Sequence, residues 1–172
     1  IINKNQSIEL FNTIKKESSS NNLAKTSLAV IYNDGGLYQK KDTDKFLKLM
    51  NELINSPLEE LSFHHGMAYM LLAQHYSLKG DNLEAESLLR EGVLKFPNND
   101  DYNLSRQLLI SMFVAFLQGN GELDKALIMG KNLLKDSVGD VFDEISQGLI
   151  NCMIMEILYL QKNYQNSLNY SD

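Results

Sequence analysis

The chain holds a single cysteine, Cys152, in 172 residues. A lone thiol excludes an internal disulfide framework and any metal site built from several cysteines, and it fits a reducing compartment. Proline is nearly as scarce: Pro57 and Pro97 are the two, and ten glycines make up the remaining helix breakers. So few interruptions suit long helices. Positive charge is also in deficit. Sixteen Lys and Arg stand against 22 Asp and Glu, a formal charge of −6. Sequence-independent nucleic-acid binding needs a basic surface to displace counterions, so this balance argues against nucleic acid as a partner. The short clusters Lys15-Lys16 and Lys40-Lys41 read as solvated helix ends. No apolar run reaches the length of a membrane span, so direct membrane insertion is not expected. Nor does Ile1-Ile2-Asn3-Lys4 open a signal peptide.

What is present is ample apolar residue. A fraction of 44% is ordinary for a packed protein, and this length fits one compact domain or one short helical solenoid. Because the chain starts without Met and its last pattern (Tyr164, Leu168) stops at Asp172, it is read as a piece of a longer polypeptide. The expected compartment is the cytoplasm, or the periplasm if a preceding segment carries a signal or anchor.

Helix punctuation is strong. Ser56-Pro57-Leu58-Glu59 offers an N-cap, a proline at the first helical position and a Glu that completes a capping box. It predicts a helix running to Lys79, with Gly80 placed to end it. Asp81-Asn82-Leu83-Glu84 opens a second helix that closes before Pro97. Two helices joined so tightly pack as an antiparallel hairpin. The arrangement recurs. Gly80-Asp81-Asn82-Leu83-Glu84-Ala85 is echoed by Gly121-Glu122-Leu123-Asp124-Lys125-Ala126, and more weakly by Lys162-Asn163-Tyr164-Gln165-Asn166-Ser167. The small residues Ala85, Ala126 and Ser167 are spaced by 41. A period in the range of about 20 to 50 residues marks stacked repeats, because one hairpin alone cannot bury its apolar face.

On these residues the chain resembles the tetratricopeptide repeat (TPR) family over about residues 57–172. With Pro97 at the family's repeat-closing proline and Gly66 at the repeat start, Tyr69, Leu72, Ala73 and Tyr76 fall on the first-helix packing positions. Ala85, Leu89 and Gly92 fall on those of the second helix. The next copy supplies Ile110, Phe113, Val114, Leu117, Gly121, Ala126, Gly130 and Leu133, and the third Asn151, Ile154, Met155, Leu158 and Ser167. The family's usual repeat is about 34 residues, so these copies carry about seven more, in longer helices or in the linkers 98–103 and 136–140. The resemblance implies an all-α fold: a right-handed superhelical stack of antiparallel helix hairpins at about 22–55, 57–97, 101–135 and 140–172, after an N-terminal helix at 6–18. Residues 22–55 read as a degenerate hairpin around Gly35-Gly36.

No catalytic constellation is legible. His64 and His75 share a helix face but stand about 16 Å apart at 1.5 Å per residue, too far for one metal. His65 points elsewhere, and all three read as structural. Cys152 lies in the apolar stretch Ile150 to Leu160, where a free cysteine acts as a small hydrophobe. Gly119-Asn120-Gly121 follows no strand and reads as a turn. No cofactor, metal or enzymatic activity is expected.

The resemblance also implies a concave groove lined by first helices. Carried over position by position, it comprises Met67, Met70, Gln74 and Ser77, then Ser111, Ala115 and Gln118, then Cys152, Glu156 and Tyr159. Leu108 and Leu149 are the groove positions of the second and third copies that correspond to Met67, and Met67 and Leu108 read equally as inter-repeat core. Some family members clamp a terminal carboxylate with Lys, Arg and Asn, but Met70, Gln74 and Met112 stand at those places. A neutral, partly apolar groove suits an extended or helical protein segment with apolar anchors. Three functions are compatible: an interaction or ligand-sensing module of a larger, bacterial, regulatory protein; a free-standing chaperone of the type III secretion class II kind; or a non-catalytic domain of an enzyme.

Overall fold

The computed structural model describes residues 13, 21–33, 42–57, 62–97, 103–136 and 143–170, and among these the secondary structure is entirely helical. The helices are α1 (Asn21–Tyr32), α2 (Thr43–Ile54), α3 (Phe63–Leu78), α4 (Asn82–Lys95), α5 (Asn103–Gly119), α6 (Leu123–Asp136), α7 (Asp143–Leu160) and α8 (Tyr164–Leu168). Among the described residues no helix is long and apolar enough to cross a membrane.

Local chemistry sets the helix starts. Asp42 and Asp81 each accept, through Oδ1, the amide three residues on, from Lys45 and Glu84 at 3.2 Å. Each satisfies one of the amides a helix start leaves without a partner. Helix α3 begins differently. Ser62 is extended (φ −150°, ψ 172°), and its backbone N–H donates to Nδ1 of His65 at 2.9 Å. A histidine thus fills the place usually taken by Glu or Gln in a capping box.

The chain divides into two compact units, residues 1–106 and 107–172. In the first, α1 packs on α2 and α3, α2 on α3, and α3 on α4. Its core holds Ala24, Leu28, Phe46, Met50, Leu53, Tyr69, Leu72, Leu89 and Phe96. Burying each large member contributes roughly 1.5–3 kcal/mol. Polar ties run between the helices. Lys25 pairs with Glu52 at 3.3 Å, and the His75 ring lies 5.2 Å from that of Phe46. Tyr69, wholly buried, donates its hydroxyl proton to Glu91 at 2.7 Å. Burial, then the Glu91 carboxylate, push the Tyr69 phenol well above its ordinary range. Lys95 lies 5.9 Å from the Tyr69 ring centroid and donates to the Ile54 carbonyl at the end of α2. Gly66 meets Ser105 so closely that an added Cβ would stand 3.3 Å from the Ser105 Cβ.

In the second unit α6 packs on α7 and α7 on α8. The core comprises Leu109, Phe113, Val114, Leu117, Ala126, Leu133, Ile150, Ile154, Ile157 and Leu158. Ile154 comes to 3.3 Å from where a Gly130 Cβ would sit, Gln161 donates to Asp124 at 2.7 Å, and the Ser167 hydroxyl donates to the Met155 carbonyl at 3.0 Å.

The 41-residue spacing is present in the backbone itself. Gly80 and Gly121 have φ of 81° and 79°, and Lys162 takes the same left-handed conformation at 60°. Each is flanked by the same two bonds. Gly80, Gly121 and Lys162 donate to Ser77, Gln118 and Tyr159 at 2.9, 3.0 and 2.9 Å. Asp81, Glu122 and Asn163 donate to Tyr76, Leu117 and Leu158 at 2.9, 2.9 and 2.8 Å. This pair of bonds is the Schellman closure of a helix, and four residues after each outer donor stand Ala85, Ala126 and Ser167, all buried.

Several expectations are corrected. There is no continuous helix from Pro57 to Lys79: Ser56 closes α2, its hydroxyl donating to the Glu52 carbonyl at 3.1 Å, and the extended Ser62 starts the next helix. Tyr76, Asn151 and Met155, expected in the core, are half-buried. The expected Gly35-Gly36 turn, the residues Leu58-Glu59 of the first box and most of the linker 98–103 lie outside the described residues. So does the helix at 6–18, apart from helical Thr13.

Candidate functional site

The first helices of the hairpins have two faces. On α3, Tyr69, Leu72 and Ala73 are buried, while Met67, Met70, Gln74 and Ser77, in steps of three and four, share the outward row. Gln74 is exposed and the other three are half-buried. On α5, Ile110, Phe113, Val114 and Leu117 are buried; Ala115 is exposed, and Ser111, Gln118 and Leu108 are half-buried. On α7, Ile150, Ile154, Ile157 and Leu158 are buried, and Cys152, Glu156 and Tyr159 are all exposed. None of the ten residues expected to line a groove is in the core. The four on α3 belong to the first unit and the six on α5 and α7 to the second.

The α7 row is the most open. Leu149 is 64% exposed and Tyr159 62%. At about 100° per residue, Leu149, Cys152, Glu156 and Leu160 fall within one narrow stripe, with Tyr159 on its flank. Cys152 is therefore a surface residue. Glu156 is the lone charged residue between Ile145 and Gln161. The Tyr159 ring meets that of Tyr164, 5.3 Å between centroids and at 64°. Sequence reasoning missed Tyr164. Its signal was the repeat register, which puts it just beyond the turn that closes α7.

The three histidines lie in the first unit. His65, with no exposed surface, caps α3 through Ser62. His75, 4% exposed, has the Phe46 ring on one side and the Tyr76 ring edge-on at 5.5 Å. His64 is half-buried, and burial holds its pKa below the ordinary 6.5. Among the described residues no group of three His, Cys, Asp or Glu is placed to hold a metal ion. A shallow surface hollow is lined by Gly121, Leu123, Asp124, Gln161 and Asn163. It offers one carboxylate, which Gln161 already engages, so it acts as a tie between two hairpin turns. No family model, curated protein or solved structure matches this chain.

Proposed function

We propose that this chain is a TPR-like interaction module whose hairpins form a right-handed solenoid and bind protein segments on the outward rows of their first helices, α3 in the first unit and α5 and α7 in the second. Binding, not catalysis, is its role. One observation carries the reading: the same turn, a small buried residue and an outward row on the preceding helix recur at a spacing of 41 residues. Repeats that preserve their buried positions and keep one row of each first helix outside the core suit the binding of a partner. That row mixes apolar with neutral polar side chains and carries Glu156 as its one charge, a composition matched to a segment with apolar anchors.

The test is partner capture with the intact chain and with the outward-row variants Met70→Glu, Ala115→Glu and Tyr159→Glu. All three positions lie outside the core, so helix content by circular dichroism is expected to hold while capture is lost. Capture that survives in all three variants refutes the reading. The solenoid is tested separately by small-angle scattering: a compact chain of this length has a radius of gyration of roughly 16 Å, and a stack of hairpins exceeds it.

A further inference from the structure

The end of α7 carries two unusually open aromatic rings. Tyr159 and Tyr164 are 62% and 53% exposed, and their rings meet at 64° with centroids 5.3 Å apart, forming two walls of an open corner. One turn before Tyr159 on the same face is Glu156, at about 5–6 Å between Cβ atoms. Among the described residues Glu156 makes no ion pair, and neither ring carries a cation. Elsewhere the chain does place ammonium groups over tyrosines: Lys45 lies 5.3 Å from the centroid of Tyr32, and Lys95 5.9 Å from that of Tyr69. A ring face attracts a cation within about 6 Å of its centroid, and a neighbouring carboxylate strengthens that preference.

We propose that Tyr159, Tyr164 and Glu156 form a cradle for a lysine or arginine side chain of a bound protein segment, with Leu149 and Cys152 receiving an apolar side chain of the same segment. This rests on the segment-binding reading above and specifies its occupant. A single carboxylate in an otherwise neutral face is complementary to one cation. The row also sets the spacing. Leu149 and Tyr159 are separated by about 15 Å along the helix at 1.5 Å per residue, a distance spanned by four or five residues of extended peptide at about 3.3 Å each. The partner therefore carries a basic residue four or five positions from an apolar one.

Selection from a displayed library of random nonapeptides on the intact chain tests this. Enrichment of Lys or Arg at that spacing from an apolar residue is expected. A synthetic copy of the strongest peptide should weaken by about two- to fivefold on Tyr159→Ala, Tyr164→Ala or Glu156→Gln, and on replacing its basic residue by norleucine. Tyr159→Phe, which keeps the ring face, should bind as the parent does. All three positions are exposed, so helix content serves as the control for folding. Enriched peptides that lack a basic residue yet lose binding with Ala115→Glu would overturn the cradle and leave segment binding standing. Basic peptides indifferent to all three cradle variants would also overturn it. A selection that enriches nothing refutes both.

Discussion

Lys162 occupies a backbone conformation that its two counterparts assign to glycine, so the three turns form a natural substitution series. A non-glycine residue in the left-handed region costs roughly 1–2 kcal/mol. Glycine brings its own unfolded-state entropy penalty, roughly 0.5–1 kcal/mol. Lys162→Gly should therefore stabilise the α7–α8 turn by up to about 1 kcal/mol, and Gly121→Ala should destabilise the α5–α6 turn by a similar amount. Sterics do not intervene, because a Cβ on Gly121 or Gly80 would meet nothing within 4 Å, which leaves φ as the operative variable. Since the chain has two compact units, a global unfolding curve would blend them. Amide hydrogen exchange reads each turn locally. The reporters are the Lys162 and Asn163 amides, bonded to Tyr159 and Leu158, and the Gly121 and Glu122 amides, bonded to Gln118 and Leu117. About 1 kcal/mol corresponds to roughly fivefold in rate, slower in Lys162→Gly and faster in Gly121→Ala. If Lys162→Gly accelerates exchange, or Gly121→Ala leaves it unchanged, the claim that the three turns share one strained geometry is wrong.

Tyr69→Phe removes the 2.7 Å bond to Glu91; since Glu91 is exposed and recovers water, the cost should sit near the lower end for bonds to charged groups, about 1.5 kcal/mol by urea unfolding. Ala85→Leu forces a larger side chain into a site with no exposed surface and should cost roughly 1–3 kcal/mol, read as a lowered thermal midpoint. Burial lowers the His64 pKa from 6.5, so the folded chain binds fewer protons than the unfolded one; its stability is full above 6.5 and falls as pH drops from there toward the folded value. His64→Gln should flatten that acid-side decline, and identical slopes in the two proteins would refute the assignment. Cys152 is exposed and should react with a thiol reagent in the folded protein as fast as in urea; protection until unfolding would contradict its placement on the α7 surface row.

The repeat was legible because its carriers are residues with few alternative uses. A glycine past a helix end and an alanine four or five residues later each answer a backbone or steric demand, and Gly80–Ala85 and Gly121–Ala126 recover both. Buried rows such as Phe113, Val114 and Leu117 were assigned by the family resemblance, and all three are buried. The third turn was weaker in sequence because Lys162 takes the left-handed conformation without the glycine that marks the other two, although it makes the same two bonds. The start of α3 was misread since Ser56 and Glu59 match a cap pattern that depends only on local spacing. The stop of α2, its neighbours in space and an unusual histidine cap at Ser62 decide otherwise. Of the candidate surface, the resemblance supplied the outward row, whose residues lie outside the core, but not the Tyr159–Tyr164 pair, which depends on how the chain turns between α7 and α8.

Lys95 has a practical consequence for anyone dividing this protein into pieces. Its ammonium reaches from α4 past the Tyr69 ring to the last carbonyl of α2, so the best-formed hairpin leans on residues that precede it by some forty positions. A fragment starting at Ser62 would keep both helices of that hairpin and yet strip Lys95 of its acceptor and His75 of the Phe46 ring. The smallest autonomous piece around α3 and α4 must therefore retain α2, and with it α1, which packs on both α2 and α3, so Pro57 is a poor place to cut.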